Sequence, residues 1–131
     1  MHDEAATMSD SHKKIAFALV VQAPPSRSTA ALEFATAALV AGHKIPRVFF
    51  LREGSETARA GDVAFRWAAL ARQYRVELSV CVSGAARRNL YDEVSAREHA
   101  AAANVAPGFS IAGLGLMVDA IANADRVMTF L

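Results

Sequence analysis

The sequence predicts a single α/β domain of three layers, α/β/α, built on a central and mainly parallel sheet of about five strands. The chain has 131 residues, which is the usual size of one domain. Short apolar runs alternate along it with segments whose apolar residues recur at helical spacing. Because strands that alternate with helices pair in parallel through right-handed crossovers, this alternation predicts the layered architecture.

The first predicted strand and helix occupy the beginning of the domain. Residues 15–21 form a continuous apolar run, which is typical of a strand buried on both faces. Two prolines end the run, and Ser26 or Ser28 can cap the helix that follows. Gly42 stands where the C-cap of this helix is expected. The apolar residues of the helix recur at helical spacing: Leu32, Ala35, Ala38 and Leu39.

The second strand, the second helix and the third strand follow in the same alternation. Residues 45–51 are rich in β-branched and aromatic side chains and predict a strand. Residues 52–61 are interpreted as a polar loop, and Asp62 as the N-cap of a helix. Residues 76–82 predict the third strand. The apolar face of the helix between them consists of Val63, Trp67, Leu70, Ala71 and Tyr74.

The last third of the chain contains two further strands. Residues 83–88 predict a short helical turn, and residues 92–102 an Ala-rich helix that Pro107 and its neighbouring glycine terminate. Residues 109–112 predict a short fourth strand, and residues 126–131 the last strand. The helix between these two strands is marked by Leu114, Met117, Val118 and Ile121.

Composition excludes several classes of protein. The chain has one cysteine, so it cannot form an intramolecular disulfide. One cysteine with four scattered histidines argues against a structural zinc site, and no metal is expected. The formal net charge of +1 provides no overall attraction to nucleic acid. With 53% apolar residues, the chain is expected to fold as a compact globular domain.

Neither a targeting segment nor a membrane span is predicted. Residues 1–12 are polar and lack an apolar core, so we expect a disordered tail rather than a signal peptide. The folded domain is expected to cover residues 13–131. The longest apolar runs, residues 15–21 and 111–118, are far shorter than the roughly 20 residues of a membrane-spanning helix. We therefore expect a soluble, cytoplasmic protein.

Cys81 is the strongest candidate for chemistry in the sequence. It lies at the end of the third predicted strand, and ligands of parallel sheets gather beyond the C-terminal ends of the strands. A helical turn and the pair Arg87 and Arg88 follow it, and both surroundings favour a thiolate. The opposite interpretation is an inert core thiol, because two valines flank Cys81 and free cysteines are usually buried. For the two arginines, a solvated surface is the first interpretation because exposed basic residues are common, and a partner-binding patch or an anion site are the alternatives.

Other motifs carry weaker signals. The Gly113-Leu-Gly115 segment lacks the third glycine and the downstream acid of a dinucleotide loop, so it predicts close packing of a helix start against the sheet. Asp92 and Glu93 are adjacent and do not face one site on a helix, so they are interpreted as charges at a helix start. His43 follows a glycine and is interpreted as a turn residue.

Residues 81–93, Cys-Val-Ser-Gly-Ala-Ala-Arg-Arg-Asn-Leu-Tyr-Asp-Glu, resemble the active-cysteine segment of the DsrE/TusD family of sulfurtransferase subunits. Residues 15–21, 41–54 and 108–130 resemble segments of the same family, in the same order. The resemblance implies a DsrE-like α/β domain and a sulfur-relay subunit. It implies that Cys81 is the catalytic residue, which carries a persulfide, and that no metal or other cofactor takes part.

The same resemblance implies partners. Such subunits join related small subunits in a hetero-oligomer, typically a heterohexamer. They receive sulfur from a TusA-like donor and pass it to a TusE/DsrC-like acceptor, without binding nucleic acid or membrane. The relay serves either 2-thiouridine synthesis in tRNA or dissimilatory sulfur oxidation. Residues 52–61 are shorter than the corresponding family stretch, which leaves the partner open. The alternative function is a non-catalytic structural subunit with an inert core cysteine.

Overall fold

A five-stranded parallel sheet forms the centre of the protein. The computed structural model describes residues 13–92 and 104–131. Every pairing within the sheet is parallel, and the strand order is β4-β3-β2-β1-β5. The strands are β1 (Ala16–Val21), β2 (Lys44–Phe50), β3 (Glu77–Cys81), β4 (Phe109–Ala112) and β5 (Arg126–Phe130). The predicted α/β class and its parallel sheet are therefore confirmed.

Four α-helices and two 3-10 helices connect the strands in the described part of the chain. The α-helices are α1 (Thr29–Val40), α2 (Asp62–Tyr74), α3 (Val82–Arg87) and α4 (Leu114–Ala122). The 3-10 helices are Pro25–Arg27 and Arg52–Ala58. The helix predicted at residues 92–102 and the tail predicted at residues 1–12 lie outside the described residues, apart from Asp92.

The two faces of the sheet carry cores of different size. One face packs against α1 and α2 in a large apolar core, in which Phe50 and Trp67 stack edge to face at 5.3 Å. Alternate residues of the strands point to the opposite face, where Phe49, Cys81 and Ala112 form a small cluster. Met117 of α4 packs against that cluster. The side chain of Cys81 thus lies on the face of the sheet that has the smaller core.

The segment predicted as a polar loop is a largely buried 3-10 helix, so that prediction is wrong. Gly54 is buried and its amide donates a hydrogen bond of 3.0 Å to the carbonyl of Leu51. A Cβ at Gly54 would stand 2.0 Å from the Val21 carbonyl oxygen. The absence of a side chain at Gly54 therefore lets this segment pack directly on the end of β1. This contact joins residues that are distant in the sequence, so the polar composition of the segment does not predict it.

Gly42 ends α1 as the sequence predicts. Its φ is +93°, its amide donates to the Leu39 carbonyl at 3.0 Å, and the His43 amide donates to the Ala38 carbonyl at 2.9 Å. His43 does more than occupy a turn. Its Nδ1 accepts a hydrogen bond of 3.2 Å from the Ile15 amide, which ties the start of the domain to the end of α1.

The predicted N-caps are only partly correct. Ser28 does precede α1, but its hydroxyl makes no capping hydrogen bond. Asp62 is the first residue of α2. The N-cap residue is Gly61, which has no side chain that could accept a capping hydrogen bond. The observed start of α2 differs by one residue from the predicted start. An aspartate is favourable both at the N-cap and in the first turn of a helix, so Asp62 fits either position.

The close packing predicted for Gly113 and Gly115 is wrong. A Cβ built on either glycine would meet nothing within 4 Å. None of the residues of α4 is classed as buried. Neither glycine therefore mediates a close approach of this helix to the sheet.

Candidate functional site

Cys81 lies at the boundary between β3 and α3, as its place in the sequence predicts. It is the last residue of β3 and the N-cap residue of α3. Only 5% of its surface is exposed, and it lies at the carboxyl edge of the sheet. Because parallel strands direct their carboxyl ends to one edge, the end of β2 lies beside it.

The immediate surroundings of the thiol favour its ionised form. The Cys81 Sγ and the Ser83 Oγ lie 3.3 Å apart. Burial raises the pKa of the Cys81 thiol, but three influences oppose it. These are the hydrogen bond from the Ser83 hydroxyl, backbone hydrogen bonds from Gly84 and Ser83, and the charge of Arg87. Together they outweigh burial, and the pKa of Cys81 lies below its usual value.

A pocket of about 770 Å³ opens above the thiol. Leu51 and Leu114 supply apolar surface on its wall. Its charged lining consists of Arg52, Glu53, Arg87 and Arg88. With three guanidinium groups and one carboxylate, the pocket has a net positive charge, which further favours an anionic sulfur.

The second 3-10 helix and α3 hold the two sides of this pocket together. Gly84 in the first turn of α3 is buried, and a Cβ there would stand 2.3 Å from the Ser55 Oγ and 3.4 Å from the Arg52 amide nitrogen. Ser55 itself is fully buried. The absence of a side chain at Gly84 therefore lets the segment after β2 lie directly against the segment after β3.

Arg87 and Arg88 have different roles, although the sequence treats them as a pair. Arg88 is half-buried, and its Nη1 donates to the Gly84 carbonyl at 3.1 Å, which stabilises the end of α3. Its own carbonyl accepts a 2.7 Å hydrogen bond from Arg59. Arg87 is exposed, and its charge acts on the Cys81 thiol.

Arg52 is one of the pocket residues that sequence reasoning missed, together with Glu53. The sequence placed Arg52 in a polar loop, whereas the structure places it at the start of a 3-10 helix, two residues after the end of β2, where it lines the same pocket as Cys81. Its position after a buried strand was the available signal. The described residues contain no group of three or more His, Cys, Asp or Glu side chains arranged to hold a metal ion.

The site and the fold together define a family. A model of the DsrE/DsrF-like family matches residues 13–130. The chain belongs to this family, as the segment around Cys81 predicts.

Two relatives give the class of activity. The chain is 40% identical over 126 residues to the sulfurtransferase TusD of Serratia proteamaculans, covering 87% of this chain and 98% of that protein. It is also 40% identical over 126 residues to a candidate sulfurtransferase, DsrE, of Allochromatium vinosum, covering 87% and 97% of the two chains. These names confirm the predicted enzyme class, a sulfurtransferase.

A solved structure agrees with the fold. The crystal structure of the ychN protein from E. coli superposes with a TM-score of 0.67 at 15% identity, covering 90% of this chain and all of that one. At this identity the likeness concerns the fold alone. In the described residues, none of the helices has the length and apolar character needed to cross a membrane.

Proposed function

We propose that the protein is a sulfur-relay subunit that carries a persulfide on Cys81 and passes sulfane sulfur between carrier proteins. The observation that carries the proposal is the buried thiol with a lowered pKa, in a positively charged pocket at the carboxyl edge of the sheet. Thiolate is the nucleophilic form of cysteine, and an anion-stabilising pocket also suits the persulfide anion that follows.

The transfer balances without an oxidant or a reductant. The Cys81 thiolate attacks the outer sulfur of a donor persulfide, a new S–S bond forms, and the S–S bond of the donor breaks. The donor leaves as a thiolate, and Cys81 becomes a persulfide. The thiolate of an acceptor then attacks the outer sulfur of Cys81 in the same way, which regenerates the Cys81 thiolate.

The proposed partners follow from family membership and from the surface of α4. Exposed apolar residues on this helix support association with related small subunits in a hetero-oligomer, a heterohexamer by resemblance. A TusA-like donor and a TusE/DsrC-like acceptor are the proposed carriers, in the cytoplasm. The relay would serve tRNA thiolation or sulfur oxidation, and the net charge of +1 supports transfer without direct binding of nucleic acid.

Mass spectrometry of the intact chain tests the proposal. After incubation with a persulfidated carrier protein, we expect a gain of one sulfur atom on Cys81 and its loss when a thiol acceptor is added. The Cys81→Ser variant should keep the fold and gain no sulfur. If the wild-type chain gains no sulfur from a donor that loads a control carrier, the proposal is contradicted.

A second candidate function is a structural subunit in which Cys81 is inert. The observation that favours it is the burial of Cys81 with Phe49 and Ala112. Alkylation at neutral pH separates the two functions. A reactive Cys81 is labelled in the folded protein through the pocket, whereas an inert one is labelled only after unfolding.

A further inference from the structure

Two exposed arginines line the pocket, and neither has a hydrogen-bond or ion-pair partner among the residues that the structure describes. Arg52 follows β2, Arg87 ends α3, and both side chains line the pocket that contains Cys81. Within residues 13–92 and 104–131, the structure gives neither guanidinium a hydrogen bond or an ion pair, whereas the neighbouring Arg88 bonds to the Gly84 carbonyl. Two unpaired guanidinium groups on separate elements of one cavity are well placed to bind an anion.

The backbone of Arg52 supports a role for its side chain. Its φ is +54°, in the left-handed region that glycine adopts most readily. Arg75 and Asn89 also have positive φ, but they follow helices, where this conformation is a common way to end the helix. Arg52 instead follows a strand and begins a 3-10 helix. An arginine therefore occupies a position that a glycine would hold with less strain.

The size of the cavity indicates the kind of ligand. Its volume of about 770 Å³ lies within the range of roughly 300–1,000 Å³ that is usual for small-molecule sites. Cys81 is one of the residues that line the cavity, and only 5% of its surface is exposed, so the cavity suits a compact ligand better than a bulky one.

We propose that Arg52 and Arg87 form an anion subsite that binds the sulfonate or carboxylate group of a small sulfane-sulfur donor and directs its outer sulfur to Cys81. This proposal rests on the proposed persulfide function and adds a direct route of entry for sulfur. With thiosulfate, the Cys81 thiolate attacks the outer sulfur and forms an S–S bond. The S–S bond of thiosulfate breaks, sulfite leaves with the electron pair, and no oxidant is needed.

A pair of alkylating reagents tests the subsite apart from sulfur transfer. Iodoacetate is an anion, and iodoacetamide is its neutral counterpart of similar size. Both reagents react with the thiolate, so the fraction of Cys81 that is ionised affects both rate constants equally. The ratio of the iodoacetate rate constant to the iodoacetamide rate constant therefore measures how strongly the site prefers an anionic reagent. We expect Arg52→Gly, which also relaxes the backbone, to lower this ratio about threefold, the order of effect of one partly exposed ion pair.

Controls separate the subsite from general charge and from misfolding. Arg87→Ala should lower the ratio independently, and Arg52→Lys should restore much of it. Arg66→Ala removes an exposed arginine of α2 that does not line the pocket and should leave the ratio unchanged. An unchanged ratio in both pocket variants, or an equal fall in Arg66→Ala, would overturn the subsite.

Sulfur loading then identifies the anionic group. The rate at which Cys81 gains sulfur is measured by mass spectrometry with thiosulfate and with glutathione persulfide. If Arg52→Gly slows sulfur loading from thiosulfate but not from glutathione persulfide, the subsite binds a sulfonate group. If it slows loading from glutathione persulfide but not from thiosulfate, the subsite binds a carboxylate group. If Cys81 gains sulfur from these donors at the wild-type rate in both pocket variants, the subsite is overturned and the persulfide function still stands. No loading from any donor, protein or small, contradicts the persulfide function itself.

Discussion

The pKa of the Cys81 thiol is lowered by groups that lie within six residues of it in the sequence. Ser83 and Gly84 are in the first turn of α3, and Arg87 is at its end. Burial alone would raise the pKa of this thiol, and the hydrogen bonds and the arginine charge reverse that effect. The thiol is therefore buried and at the same time favoured as an anion, and the thiolate is the form that takes part in sulfur exchange.

Replacing Ser83 with alanine should move the reactivity of Cys81 to higher pH. The variant loses the side-chain hydrogen bond that stabilises the thiolate, so the pKa of Cys81 rises towards the value favoured by burial. Because the thiolate fraction falls as the pH drops below the pKa, the iodoacetamide rate at neutral pH should fall severalfold.

The full pH profile of alkylation provides the measurement for Ser83. The limiting rate at high pH should match the wild type, since both proteins are then fully ionised. Ser83→Thr keeps a hydroxyl and should retain the wild-type profile. Superimposable profiles for Ser83→Ala and the wild type would show that this hydroxyl does not stabilise the thiolate.

At the scale of elements, glycines decide how the segments after the strands fit together. Gly54 brings the second 3-10 helix onto the end of β1, and Gly84 brings α3 onto that 3-10 helix. The pocket wall is therefore built from segments that follow β2 and β3, held by contacts in which a single added carbon would not fit.

Gly54→Ala should strongly destabilise the protein. The added Cβ would stand 2.0 Å from the backbone oxygen of Val21, which cannot rotate away. Relieving this overlap requires the 3-10 helix to move, and overpacking of this kind costs about 1–3 kcal/mol or more. The measurement is the free energy of unfolding from urea denaturation.

Gly115→Ala is the matched control for Gly54→Ala. Gly115 lies within α4, and a Cβ there meets nothing within 4 Å. Alanine is the better helix former by roughly 0.5–1 kcal/mol, so this variant should be as stable as the wild type or more stable. Equal losses of stability in the two variants would contradict the packing described for Gly54.

At the scale of the whole molecule, the two helical layers are unequal. On one face, α1 and α2 cover a large core, whereas α4 contributes no residue classed as buried on the other. Several large apolar side chains on this second face are exposed: Leu114, Leu116, Val118, Ile121 and Val127. Such a concentration of exposed apolar surface is typical of a face that binds another protein.

Val118→Glu should weaken assembly without affecting the fold of the chain. Val118 is 61% exposed, so a charge there should change the free energy of unfolding by less than about 0.5 kcal/mol. Buried in an interface, the same unpaired carboxylate would oppose association. Light scattering of the chain with co-expressed related subunits measures the effect.

Val40→Glu is the corresponding control on the other face. Val40 is 69% exposed at the end of α1. The same charge change there should leave assembly intact. If Val118→Glu assembles as well as Val40→Glu and the wild type do, this surface of α4 is not part of the interface.

Much of the fold and the position of the candidate site residue, Cys81, could be predicted from the sequence. The parallel sheet follows from alternating patterns that are local, since buried strands and amphipathic helices leave their own periodicities. Cys81 could be placed because the end of a parallel strand is where such sheets position ligands. The Gly42 C-cap was equally predictable, since a left-handed turn at a helix end favours glycine.

The tertiary structure decided which segments meet. Residues 52–58 look polar in the sequence, yet they pack on the end of β1 and bring Arg52 to the pocket of Cys81. Arg87 and Arg88 are adjacent in the chain, yet only Arg88 is paired with the backbone of α3. These outcomes depend on contacts between distant residues. The sequence by itself therefore determined the elements and the position of Cys81 at the end of a strand, and three-dimensional packing determined which distant residues surround its thiol.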